Sequence, residues 1–225
     1  MSARVFLAMA LVCAQGETVD RIAVSVGNAV ITESEIRQQL KIRAFVEGTA
    51  LQLDEENKRA AADRLIEQSF IRREMQAARY TAPEAGLAQA LLASLRQARF
   101  QGDEQAYRAE LKRTNLTEAD VESSFLWQLT VLRFVEFRFR PGIQIPPEEV
   151  REYYDQKFVP AWKARAAGPV PPFDEAERKC EEDLIQGRID NQLDRWISLS
   201  RTQTNIRYRD EVFRSASGPA GSTVR

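Results

Sequence analysis
The side chains that could do chemistry in this chain are its carboxylates, because histidine is absent from all 225 residues and only two cysteines are present. That absence removes histidine-dependent triads, paired-histidine zinc sites and imidazole acid–base catalysis. The carboxylates gather as "DEEN" from Asp54, "PEE" from Pro147 and "CEED" from Cys180. Each group sits at a helix start or on a helix flank, where it compensates a helix dipole or faces solvent. Neither a Gly-x4-Gly-Lys-Ser/Thr loop nor a Gly-x-Gly-x-x-Gly turn occurs among the ten glycines, which argues against a nucleotide-driven machine. No cofactor, metal site or catalytic residue is expected, and the search turns to binding.

One segment carries an unusual apolar load. In "VESSFLWQLTVLRFVEFRF" a helical wheel places Val121, Phe125, Leu129, Leu132 and Phe139 on one stripe, and Trp127, Val131 and Phe134 on another. A helix apolar nearly all round is either wrapped by neighbours or offers one face to a partner. On the second reading Trp127, Val131, Phe134 and Phe137 line a groove for apolar polypeptide segments. The interleaved Arg133, Arg138 and Arg140 then provide adaptable contacts. Tyr154 and Trp162, further along, are the remaining aromatic candidates for client contact.

The elements that must position these residues are mostly helices. Ile22, Val24 and Val26 alternate with Ala23 and Ser25 as in a strand with one buried face. Gly27-Asn28 suits a two-residue hairpin turn with positive φ, and "AVI" supplies the return strand. Thr32 and Glu35 have capping-box spacing, with Ile31 and Ile36 as a hydrophobic staple. Helices follow from an Asp54 cap to about Tyr80, from Pro83 through Leu91, Leu92 and Leu95, around Tyr107 and Leu111, and from a Thr117 cap to Pro141. Asn115-Leu116-Thr117 is formally a glycosylation sequon, but a turn running into the Thr117 cap explains it. Another helix begins at Pro146-Pro147, and "VPAWKARAAGPVPP" reads as a connector. A last long helix from about Asp174 to Ser200 presents Leu184, Ile189, Leu193 and Trp196 to the core. Gly187 inside it implies close packing or a bend. "NIRYRDEVF" reads as a closing strand that pairs with the opening hairpin and covers its edge. The expected fold class is mainly α with a small β-sheet.

The formal net charge of −1 gives no basic field for nucleic acid or for an anionic membrane. Arg4 followed by "VFLAMALVCA" reads as an export signal, too short to span a bilayer, with Val12 and Ala14 before a cleavage point near Gln15. Cys13 raises a lipid anchor, although Val12 is bulky for that motif. Cleavage leaves Cys180 alone, so no intramolecular disulfide forms and stability rests on the core. The expected organisation is a signal at 1–14, one domain at 15–213 and a disordered polar tail at 214–225.

Four stretches resemble the chaperone domain of the SurA/PpiD/PrsA group of exported folding factors. They are "VDRIAVSVGNAVITESEI", "RLIEQSFIRREMQAA", "LTEADVESSFLWQLTVLRFVE" with "IQIPPEEVREYYDQ", and "PPFDEAERKCEEDLIQGRIDNQLDRWISLSRTQTNIRY". Members commonly insert parvulin-type prolyl isomerase domains after the equivalent of "EEVREYYDQ". Here a linker at 156–173 fills that gap, and the histidines usual in parvulin sites are missing. The resemblance implies a periplasmic, ATP-independent chaperone that binds unfolded or partly folded envelope or outer-membrane proteins, without the isomerase and with homodimerisation open. The alternatives are an assembly subunit with one fixed partner, and an isomerase relative with weak residual activity.

Overall fold
Strand β1 (Ile22–Val26) turns through Gly27-Asn28 into β2 (Ala29–Thr32) in a computed structural model that describes residues 20–81, 86–165 and 168–214. The expected signal at 1–14, the Pro83 helix start and the tail from Ser215 lie outside the described residues. Only Gly27 takes positive φ, at 59°, the pattern of a hairpin turn with glycine in its first central position rather than positive φ at both residues. The strict alternation expected for β1 also fails. Ile22 is 45% exposed, while Ala23 and Val24 are both buried. The register with β2 shifts between Ile22 and Val24, and one extra residue sends its neighbours to opposite faces.

Strand β3 (Ile206–Tyr208) completes an antiparallel sheet of order β2-β1-β3, setting Val24 opposite Tyr208 and Val26 opposite Ile206. The opening hairpin and the closing strand therefore do pair. The closing strand is shorter than the alternation suggests, however, and Asp210–Phe213 forms a short helix, which becomes α9 below. Val212 and Phe213 are both buried. Successive strand residues point to opposite faces, whereas one helical turn sends both toward the same core.

Between these ends the described residues form eight α-helices. α1 (Glu33–Glu47) has the expected capping box, with the Thr32 amide donating to Glu35 Oε2 at 2.7 Å and the Glu35 amide to Thr32 Oγ1 at 3.4 Å. α2 (Glu55–Ala77) starts at Asp54, which accepts from the Asn57 amide at 2.9 Å. α3 (Gly86–Phe100) and α4 (Glu104–Thr114) follow. Asn115 ends α4 in the left-handed region, and Thr117 caps α5 (Glu118–Phe139) through a box with Asp120. The sequon residues thus serve as the stop of one helix and the start of the next.

After a 3-10 turn at Arg140–Gly142 come α6 (Pro147–Tyr153), a π-turn at Tyr154–Phe158, and α7 (Val159–Ala164). The first half of the expected 156–173 linker is therefore helical. The Val159 amide donates to Tyr154 O, five residues back, and this widened turn admits Pro160, whose ring clashes with the carbonyl four residues back in a regular helix. α8 (Phe173–Gln203) is longer than expected at both ends. Around Gly187 a methyl group would meet nothing within 4 Å, so close packing does not explain this glycine. Gly187→Ala is expected to stabilise the fold by up to about 1 kcal/mol, read as a raised midpoint in urea unfolding.

The core is built in adjoining pieces. β1, α1, α2 and α9 share one around Val24, Ile36, Ile66, Phe70 and Phe213. α1, α3, α4 and α5 share another around Phe45, Tyr107 and Val121. α6 packs on α8 through Val150, Ala176 and Cys180, where burial pushes the Cys180 thiol above its ordinary range.

Candidate functional site
α5 crosses three different environments, and this decides which of its apolar residues reach solvent. Val121 and Phe125 are buried among α1, α3 and α4. Further along, Val135 and Phe139 pack on Ile189 of α8, while Phe134 inserts between Ile71 and Met75 of α2. The buried face therefore turns along the helix with its neighbours. One expectation fails for this reason. Phe134, expected in a client-facing stripe, is 1% exposed and edge-on to Tyr80 at 5.2 Å, whereas Leu132, on the other stripe, is 58% exposed. Phe137, expected beside Trp127 in the groove, is 57% exposed and packs on Tyr80 at 5.3 Å, but is not among the residues that line the hollows around Trp127.

The interleaved arginines divide in the same way. Arg140 makes a bidentate contact with Glu182 of α8 at 2.8 and 2.7 Å and also reaches Glu136. Arg138 reaches Glu74 of α2 at 3.1 Å. These two tie α5 to its neighbours rather than forming an adaptable rim. Among the described residues Arg133 forms no ion pair.

Trp127 is the half-buried residue around which the open space gathers. Its ring carries the Arg72 guanidinium 4.6 Å from the centroid, a stacked arrangement that holds both side chains in place. The indole borders three hollows. One of about 290 Å³ lies toward α1, with Glu35, Ile42 and Leu65. A second, of about 350 Å³, lies between α2 and α5, with Met75, Tyr80 and Leu126. A third, of about 460 Å³, opens between α2, α5 and α8 and is lined by Ile71, Val131, Leu132, Val135 and Leu193. Of the expected residues, Trp127 and Val131 thus share an apolar trough. Glu35, expected only as a cap, stands at its α1 end. Arg72 escaped sequence reasoning, since in "FIRREMQ" nothing distinguishes it from Arg73, and only packing puts it on the indole.

Tyr154 and Trp162 belong to a different feature. Phe173, Tyr154, Phe158 and Trp162 form an aromatic ladder with successive ring centroids at 5.4, 5.7 and 5.6 Å. The Tyr154 hydroxyl donates to Pro171 O at 2.7 Å and Trp162 Nε1 donates to Gly168 O at 3.3 Å. Tyr154 therefore fastens the connector to α6 and does not line an open hollow, contrary to its expected role. Trp162 does line one, of about 640 Å³, between α7 and α8 with Tyr153, Phe158 and Gly187. Gln186 and Asp190 of α8 border both this hollow and the trough beside Val131, so the two adjoin across one turn of α8.

Among the described residues no three cysteine, aspartate or glutamate side chains gather to hold a metal ion. No described helix is long and apolar enough to cross a membrane. Comparison with known proteins returns no matching family model and no matching curated protein.

Proposed function
We propose that this chain is an ATP-independent chaperone that holds unfolded or partly folded envelope polypeptides outside the cytoplasm. The observation that carries the proposal is the trough around Trp127, left open to solvent, with an apolar floor between α2, α5 and α8 and a polar end toward α1. The export-type N-terminus and the ordered resemblance to exported folding factors support the same reading. Each client side chain that leaves water for such a surface contributes about 1.5–3 kcal/mol before the costs of ordering it. Two or three weak contacts of this kind give binding that reverses without an energy source, which suits a protein that must also release its client. The mixed lining of tryptophan, aliphatic side chains and glutamines accepts many sequences in place of one.

The test is suppression of aggregation when an unfolded outer-membrane protein is diluted from denaturant. Light scattering is expected to fall as the chain is added, reaching its floor near stoichiometric amounts. Undiminished scattering at stoichiometric excess would overturn the proposal. Co-purification with a single stoichiometric protein, together with indifference to unfolded clients, would favour an assembly subunit instead.

A further inference from the structure
Resting on the reading of the Trp127 trough as a polypeptide-binding surface, we propose that its α2–α5 hollow selects segments in which an apolar residue is flanked by carboxylates. The floor of this hollow is apolar, and Arg72 is the only charged side chain among the described residues that line it. On α5, Arg133 follows the lining residue Thr130 by three positions and so lies on the same helix face. Neither Arg72 nor Arg133 forms an ion pair among the described residues, whereas the neighbouring Arg138 and Arg140 are held by Glu74, Glu136 and Glu182.

Two guanidinium groups are thus left without an ion pair beside an apolar hollow, although Arg72 also borders the α1-side hollow that Glu35 and Asp120 line. The missing counter-charge is supplied by the occupant. Arg72, ordered by its stacking on Trp127, has a planar donor fork suited to bidentate recognition of a carboxylate. The concave shape, with a volume of about 350 Å³, favours a peptide over the flat surface of an anionic bilayer.

The experiment titrates the full chain into fluorescent peptides that share one apolar core and carry glutamate, glutamine or lysine flanks. A parallel titration uses vesicles containing phosphatidylglycerol. The glutamate-flanked peptide is expected to bind about tenfold more tightly than the lysine-flanked one, since two ion pairs are exchanged for two repulsions. Added salt is expected to shrink that ratio. Combining Arg72→Gln with Arg133→Gln is expected to bring the ratio to about one, with any loss from the broken Arg72–Trp127 stacking shared by all three peptides. Circular dichroism confirms that the variant is folded. Equal affinities for glutamate and lysine flanks would overturn the selectivity and leave the chaperone proposal standing. Binding to the vesicles in place of the peptides would overturn it in favour of a lipid surface. Failure of all three peptides to bind would overturn both this inference and the function on which it rests.

Discussion
Replacing Phe213 by alanine is expected to lower the unfolding free energy by about 3–5 kcal/mol, the usual cost of emptying a fully buried aromatic site. Phe213 is 0% exposed although it lies at the last turn of the described chain. Its ring packs on Tyr208 with centroids 5.9 Å apart, and the Arg59 guanidinium covers it at 4.9 Å. The surrounding polar contacts direct that ring inward. Lys58 Nζ donates to Val212 O at 3.2 Å, Arg59 pairs with Asp210 at 3.0 Å, and the Tyr208 hydroxyl donates to Asp63 at 2.6 Å. Arg201 bridges Asp63 and Glu67 on α2 at 3.2 and 2.9 Å. The C-terminal segment is therefore part of the first core, not an appendage. A loss of this size is a large share of the roughly 5–15 kcal/mol that holds a typical domain. Urea unfolding followed by circular dichroism measures it, and a loss below about 1 kcal/mol would show that β3 and α9 are dispensable. Arg59→Gln provides a milder companion, since its ion pair is exposed and contributes little.

The second large effect falls on binding. Trp127→Ala is expected to cost about 2 kcal/mol of client affinity, the size of a binding hot spot, or roughly a thirtyfold rise in Kd. The indole borders all three hollows of the trough, so its removal takes one wall from each and releases Arg72 from its stacking partner. Trp127 is half-buried against the core of Ile71, Met75 and Phe134, so some stability is lost as well. Leu132→Ser separates the two effects. Leu132 lines the α2–α5–α8 hollow and is largely exposed. Its replacement is expected to leave the thermal midpoint within about 3 °C of the parent while weakening aggregation suppression severalfold. A trough with no part in binding would leave suppression unchanged in both variants.

The local signals were legible because each is satisfied within a few residues. The Thr32–Glu35 and Thr117–Asp120 boxes, the Asp54 cap and the Gly27 turn all depend on backbone geometry that neighbouring residues dictate. The pairing of the chain's two ends was also legible, since an alternating segment near each end had little else to join. Its length was not. Val212 and Phe213 reach the core together only because α2 and β1 are placed to receive them, and no pattern within "NIRYRDEVF" announces that.

The candidate site divides along the same line. Composition and spacing on α5 establish a helix too apolar to be covered on one side only, with Trp127 and Val131 on its second stripe. Which residues stay wet depends on α2, α3 and α8, each of which covers a different arc of that helix. So Phe134 is buried, against the reading of its stripe, while Leu132 is exposed, and Tyr154 secures the connector while Trp162 faces a hollow. Arg138 and Arg140 are consumed by Glu74, Glu136 and Glu182, partners near in space, two of them remote in sequence, whereas Arg133 is not. Caps, turns and helix periods are short-range and recur in any fold that contains them. Burial and charge pairing are set by whatever the rest of the chain brings alongside, and on α5 the charge partner Glu74 lies 64 residues away and the packing partners on α1 farther still.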